Sequence, residues 1–377
     1  MKKNIILTAE NFAFGPIGKL LTVAEKINKE DYSLTFVGYG TAYQLAKSSS
    51  IRNVLEINTD SSDFTKLAGQ SFDKADLIIS CMDRSNIRLA QSLNKPTIWL
   101  DTLFWWWDEI PKNICNVDIY LKQNSINDSK NLKRYGEKIK NLKSVGPIVD
   151  LDSLINRSIN NQALVNYGGM EAAGWYQVGK DSNYPYVITE LLVKKVDFSS
   201  FDKVIFTGNE RIISELDKKY GNSKFIFKTL PHRFFTQELA NSKLVLTTPG
   251  LETPLESFTY QVPTIFLPPS NSSQYVQLDD FNKNGAAYMA LHFKDYYLEL
   301  NFKDKNLKEM MVIFLEELKR FENDRKALEN VSSRINDFIS NKQLQVKQVE
   351  GQKKYLERVG KNGLNSALEI INSFLKI

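Results

Sequence analysis

The feature that most constrains this chain is a rhythm that occurs twice. Apolar runs alternate with helically spaced segments over the first 150 residues, and the alternation restarts after a polar stretch at 144–161. In the first half, the runs at 4–8, 33–37, 75–81, 96–100 and 117–121 read as strands. Between the first two, Ile17, Leu20, Leu21, Ala24 and Ile27 fall at helical spacing across 16–28, with Pro16 in the first turn; 86–93 reads as another helix. In the second half, 162–167, 203–207, 225–227, 244–247 and 264–267 read as strands, and 184–193 and 235–241 as helices. Strands that are apolar throughout and separated by helices specify parallel sheets covered on both faces. At 377 residues the chain exceeds one ordinary core and divides into two α/β domains, expected at 1–150 and 160–355. From residue 304 onward it reads as helical and charged, with an apolar stripe at Met310, Met311, Phe314, Leu315, Leu318 and Phe321. The stretch 350–359 is very polar, and the last helix, 362–377, is amphipathic through Leu364, Ala367, Leu368, Ile371 and Leu375.

Composition excludes several function classes. Apolar content of 42% and charged content of 25% describe a globular chain in water. The net charge of +5 is spread too thinly to imply a nucleic-acid partner. It leaves open a phosphorylated ligand or a peripheral contact with an anionic membrane surface. Two cysteines, Cys81 and Cys115, give neither zinc spacing nor a disulfide framework. Only His232 and His292 could serve as histidine ligands or bases, so a His-rich metal site is excluded. The first residues do not read as a signal peptide and no run of 18 apolar residues occurs, so a cytoplasmic location is expected.

Three glycine-bearing corners follow strands. The first is AENFAFGPIGKLL, with Gly15 and Gly18. It fails as a P-loop, because Ala13 stands where the first glycine belongs and Leu20 where Ser or Thr would bind magnesium. It still places glycines at the carboxyl edge of a sheet, where ligands collect. The second is NYGGMEAAG, where Gly168 and Gly169 allow close backbone approach. The third is TTPGLETPLESFTYQVPTIFLPP, residues 247–269, with Gly250 at the turn and Glu256 in the following helix. Thr253, Pro254 and Glu256 fit a capping box. The same corner also fits a diphosphate received by the helix start and the Gly250 amides, with Glu256 accepting hydrogen bonds from ribose hydroxyls. The two roles are compatible.

The segment TIWLDTLFWWWDEIP, 97–111, puts Asp101 at a strand end and three tryptophans, Trp105, Trp106 and Trp107, in succession. Their directions differ along any regular element, so some are expected at the surface, where aromatics suit a ring-shaped or lipidic acceptor or pack as a lid. Asp101 is the first candidate for an acceptor base, followed by Asp108 and Glu10.

The spacing from Gly250 to Glu256 to Pro263, followed by an apolar strand, two prolines, a glutamine-bearing helix and Asn284-Gly285-Ala286-Ala287, resembles the nucleotide-sugar half of GT-B glycosyltransferases. The type it is most similar to is the undecaprenyl-muramyl-peptide N-acetylglucosamine transferase; the 99–111 segment also resembles cytosylglucuronate synthases. The resemblance covers most of the chain in order, with its specific motif between Gly250 and Ala287. It implies two Rossmann-like domains, the first binding an acceptor and the second a UDP-sugar, with the terminal helix crossing back to the first. Glu256 would bind the ribose, Gly250, Leu251 and Gly168 would approach the diphosphate, Gln274 and Gln277 would read the sugar, and His232 would lie near the base. Transfer would invert the anomeric centre with no cofactor and no essential metal, onto a small-molecule or lipid-linked acceptor. Pro249-Gly250 replaces the family's frequent Ser-Gly, and 258–262 replaces its small-residue segment. A UDP-sugar 2-epimerase of the same architecture and a non-catalytic nucleotide-sugar-binding module are the alternatives.

Overall fold

The computed structural model describes residues 2–155, 157–172, 174–297, 302 and 305–375. The expected helical start at 304 and the helix end at 376–377 lie outside the described residues. The chain forms two compact units, Met1–Asp150 with Arg358–Ile377, and Leu151–Glu357.

The first unit holds β1 (Lys3–Ala9), β2 (Tyr32–Gly38), β3 (Asn53–Glu56), β4 (Leu77–Cys81), β5 (Thr97–Asp101), β6 (Ile119–Gln123) and β7 (Leu142–Val145). They pair in parallel in the order β3-β2-β1-β4-β5-β6-β7. Side-chain alternation along β1 explains why its apolar run is continuous. Ile5, Leu7 and Ala9 join a core with Ile17, Leu20 and Leu21 of the helix Gly15–Ala24. Ile6, one step over, joins a separate core with Phe64, Ala68, Phe72, Leu89 and Ala90. Leu364, Ala367, Ile371 and Leu375 of the terminal helix Gly363–Leu375 pack into the first of these cores. Two strands went unread in the sequence: β3 is mostly exposed and β7 is half polar, because edge strands bury less than central ones. β7 therefore occupies the beginning of the polar stretch that reads as a linker.

The second unit holds β8 (Gln162–Asn166), β9 (Lys203–Thr207), β10 (Phe225–Phe227), β11 (Leu244–Thr247) and β12 (Thr264–Phe266). They are parallel in the order β10-β9-β8-β11-β12. The helix Leu307–Asn323 buries Met310, Met311, Phe314, Leu318 and Phe321, while Leu315 is only half-buried. The polar stretch 350–359 belongs to the helix Lys342–Val359 and is not a solvated tail. Tyr355 packs edge-on against Phe258 and Phe281. Two turns earlier, the Gln348 amide donates to Ala286 O at 2.7 Å and accepts from Tyr288 N at 2.7 Å. No helix among the described residues is long and apolar enough to cross a membrane.

Both sheets reverse their winding once. The reversal falls between β1 and β4 in the first unit and between β8 and β11 in the second. A crevice opens at the carboxyl ends of strands at such a reversal, which makes these two edges the places to look for ligands.

Candidate functional site

In the second unit, the reversal places Asn166, the last residue of β8, in register with Thr247, the last of β11. The chain then turns through Gly168, whose φ of +66° is left-handed, and a Cβ there would meet nothing within 4 Å. Glycine is thus needed for the turn, and the space above it is open. Opposite, 248–250 closes a tight turn in which Gly250 N donates to Thr248 O at 2.8 Å, and the space over Gly250 is also open.

The helix after that turn is Glu252–Thr259, with Leu251 at its N-cap. This corrects the capping box. The helix starts before Thr253, whose hydroxyl accepts from Asn166 Nδ2 at 2.8 Å instead of capping. Glu256 is buried at 2% exposure, and its Oε1 lies 3.2 Å from His232 Nε2. Its other oxygen, Oε2, has no hydrogen-bond partner among the described residues. Buried carboxylate oxygens are rarely left so, and this one is an acceptor held in place with spare capacity. His232 is not in a loop, as the sequence suggests, but is the first residue of the helix His232–Ala240, which packs on Glu252–Thr259.

Farther along the edge, Asn271 caps the helix Ser272–Lys283 by accepting from Gln274 N at 3.0 Å. Gln274 Oε1 accepts from Ser270 N at 2.8 Å and Ser270 Oγ at 2.9 Å, so this side chain closes a turn. Gln277 is buried, and neither atom of its amide has a partner among the described residues.

In the first unit, the reversal lies between Ala9 and Cys81, which are in register; Glu10 follows Ala9 directly and Asp83 lies two residues past Cys81. Asp83 is fully buried and caps the helix Arg84–Ser92, accepting from Ser85 N at 3.1 Å and Asn86 N at 3.4 Å. Burial, reinforced by the charges of Asp83 and Asp60 and opposed by Arg84, pushes the Glu10 carboxyl up to about 8. Burial also raises Asp83 to about 6, against the pull of its backbone hydrogen bonds. A carboxyl so poised at a ligand-collecting edge has the properties of a general base.

Asp101 is placed otherwise. It is 0% exposed and its oxygens accept from Leu103 N at 2.7 Å, Trp107 Nε1 at 3.0 Å and Tyr120 Oη at 2.5 Å. Burial raises its pKa while these three donors oppose the rise. Such a carboxylate organises the strand end and presents nothing to an acceptor. Asp108 is exposed. Trp105 is buried at 9% exposure, with Trp106 edge-on at 5.6 Å; Trp106 and Trp107 are half-buried. The three therefore divide between core and surface, with Trp105 inside and Trp106 and Trp107 partly exposed, and Trp107 folds back onto Asp101. Trp107 also stacks under Arg84, whose guanidinium lies 5.0 Å from the ring and whose charge acts on Glu10.

Similarity to solved structures spans the whole chain. A Listeria monocytogenes protein assigned as a UDP-N-acetylglucosamine 2-epimerase superposes with a TM-score of 0.52 at 13% identity, covering 95% of each chain. Acinetobacter baumannii MurG gives 0.50 at 12% identity, covering 98% of this chain and 99% of that one. Phytolacca americana UGT2, complexed with UDP-2fluoro-glucose and pterostilbene, gives 0.54 at 11% identity, covering 99% and 100%. The chain has the GT-B fold. No family model and no curated protein matches its sequence.

Within this GT-B frame, the second unit brings Gly168, Gly250, Leu251 and Glu256 to the ends of β8 and β11 and the helix that follows β11, and His232 reaches Glu256 from the helix that follows β10. Gly169 is buried in the same turn as Gly168, and Gln274 and Gln277 follow β12. In the first unit Gly15 starts the helix at the sheet edge, but Gly18 is buried inside it. Lys19 is buried too, its Nζ donating to Ile148 O at 2.5 Å, so the Gly-Lys pair serves the core and is not turned toward phosphate. Sequence reasoning missed Asn166 and Asp83. An asparagine closing the apolar strand QALVN before two glycines was the signal for the first, and an aspartate just ahead of a helix for the second. Among the described residues no three His, Cys, Asp or Glu side chains are grouped to hold a metal ion.

Proposed function

We propose that this protein transfers a sugar from a UDP-sugar to a hydroxyl of a small-molecule or lipid-linked acceptor, inverting the anomeric centre without a metal ion. The observation that carries this reading is the buried Glu256 with its unengaged Oε2, fixed by His232 beside two open glycine turns at the β8–β11 reversal. A carboxylate there accepts hydrogen bonds from two ribose hydroxyls, and the turns let a diphosphate approach backbone amides. Glu252 already complements the start of the helix Glu252–Thr259, so the amides of both turns carry most of the diphosphate contact. Glu10, ionised, takes the acceptor proton as the acceptor oxygen bonds to the anomeric carbon. The bond from that carbon to the diphosphate oxygen breaks, and UDP leaves with the electron pair, its charge stabilised by the amides. Asp83 raises the proton affinity of Glu10, and Trp106 forms part of the acceptor side. The fold alone does not select this activity, because it also carries other reactions.

The epimerase reading has one structural argument, the likeness to the Listeria protein, and one against it. By the resemblance, epimerases surround the sugar with carboxylates and histidines. Here His292 is fully buried against Tyr275 at 4.2 Å, with burial pushing its pKa down to about 4. That leaves His232 alone, already engaged with Glu256. The test begins with thermal shift: UDP should raise the melting temperature more than ADP or GDP, and equal shifts would sink the reading. Incubation with UDP-sugars alone should then release UDP slowly by hydrolysis, at the same rate in EDTA. Formation of an epimer would assign the alternative activity, and EDTA sensitivity would overturn the metal-independent mechanism.

A further inference from the structure

We infer that Asn166 is the positioning residue that couples the two halves of the diphosphate site, an inference that rests on the UDP-sugar reading above. Its side chain is 8% exposed and hydrogen-bonded at both its oxygen and its nitrogen. Oδ1 accepts from Gly168 N at 3.0 Å, which holds the left-handed Gly168 turn after β8. Nδ2 donates to Thr253 Oγ1 at 2.8 Å, which holds the helix start after β11. Its backbone oxygen accepts from Thr248 N at 3.4 Å, the first residue of the turn leading to Gly250. One residue thus touches both glycine turns and the helix that carries Glu256.

The chemistry requires asparagine. A single side chain must accept in one direction and donate in the other, and only an amide does both from one planar group of this length. Aspartate can still accept from Gly168 N, but it brings a negative charge to a site meant for diphosphate. The β8–β11 ladder brings the two turns side by side, and because a Cβ on Gly168 or Gly250 would meet nothing within 4 Å, no side chain among the described residues packs over either turn; the Asn166 side chain ties them together beyond the ladder. Preorganised donors bind an anion well only when their spacing is fixed beforehand. Asn166 therefore acts on the phosphate portion of the ligand through the backbone it holds and leaves the uridine portion alone.

The experiment compares UDP and uridine binding by calorimetry for the parent protein, Asn166→Ala, Asn166→Asp and Thr253→Val. Asn166→Ala should weaken UDP at least about tenfold, equivalent to one lost hydrogen bond of ~1.4 kcal/mol, while uridine affinity changes less than about twofold. Asn166→Asp should weaken UDP further than alanine does. Thr253→Val, which keeps the shape and removes the acceptor, should reproduce part of the loss. Its effect should vanish when combined with Asn166→Ala, since both remove the same bond. If Asn166→Ala does not fold, the Thr253→Val result decides. Equal weakening of UDP and uridine, or unchanged UDP affinity in a folded variant, overturns the inference and leaves the UDP reading standing. Failure of the parent to bind UDP at all overturns the UDP reading and the inference with it.

Discussion

Glu256 was visible in the sequence as an acid after a strand–glycine–helix corner, but its surroundings were not. The capping box was a local inference from Thr253 and Pro254, and it failed because a residue 87 positions away, Asn166, claimed the Thr253 hydroxyl. His232 likewise reaches Glu256 across 24 positions, a contact that no local spacing encodes. With the cap gone, Glu256→Gln separates the ligand role cleanly. Glutamine has one oxygen, so if that oxygen stays with the His232 imidazole, an NH2 donor replaces the carboxylate oxygen that would accept from a ribose hydroxyl. The expected outcome is an unliganded melting temperature near the parent value and UDP binding ~10–100-fold weaker, the loss of one charge-assisted hydrogen bond. Calorimetric titration reads it, and unchanged affinity removes Glu256 from the nucleotide site. Glu10 gives the pH-dependent prediction. Its carboxyl is raised from 4.5 to about 8, so kcat/KM should climb with pH as it ionises. Glu10→Gln should erase that limb and cost ~10²–10⁴-fold in rate. The stability sign follows from the same shift. A raised acid contributes fully below its unfolded value, near 4.5, and that contribution is lost as pH rises through about 8. Glu10→Gln should therefore melt higher, relative to the parent, at pH 9 than at pH 5. Asp83, raised to about 6, adds a slope at lower pH that the variant retains.

At the scale of elements, the central strands were legible because parallel strands buried on both faces read as unbroken apolar runs, as in LIISC of β4 and LVLT of β11. The edge strands β3 and β7 were illegible for the converse reason: NVLE buries none of its residues and LKSV only Val145, so neither forms an apolar run. The helix Lys342–Val359 was underrated because its buried face is made of Gly351, Gln352 and Tyr355, which carry no apolar stripe. Its contact depends on backbone approach. A Cβ on Gly351 would overlap the carbonyl of Gly285, a backbone atom that cannot swing aside. Gly351→Ala should therefore destabilise by ~1–3 kcal/mol, the cost of overpacking, seen as a lower urea midpoint with an unchanged slope. Gly69, half-buried inside the helix Phe64–Asp73, is the contrast. A Cβ there meets nothing within 4 Å, and Gly69→Ala should stabilise by ~0.5–1 kcal/mol through helix propensity alone. Two midpoints moving in the same direction would mean that the close approach at Gly351 has been misread.

At the scale of the whole molecule, each unit has its own parallel sheet and its own buried residues, and the proposed UDP contacts, Gly168, Gly250 and Glu256, all belong to the second. Chains with more than one core depart from two-state unfolding, so ligand stabilisation need not spread evenly. Tryptophan placement makes this measurable. Of the five tryptophans, Trp99, Trp105, Trp106 and Trp107 lie in the first unit and only Trp175 in the second. Trp175 is 43% exposed, so Trp175→Phe should fold normally and leave tryptophan fluorescence, excited where tyrosine does not absorb, reporting the first unit alone. Far-UV circular dichroism still reports both. UDP at 100 times its Kd should add ~2.7 kcal/mol to the unit that binds it. In Trp175→Phe, the dichroism melt should therefore gain a higher transition with UDP while the fluorescence melt stays in place. A fluorescence melt that shifts as far as the dichroism melt would show either that UDP contacts the first unit or that the two units unfold as one. In the first case the donor site reaches beyond the residues around Glu256; in the second it stays there, and one cooperative transition carries its stabilisation to both units.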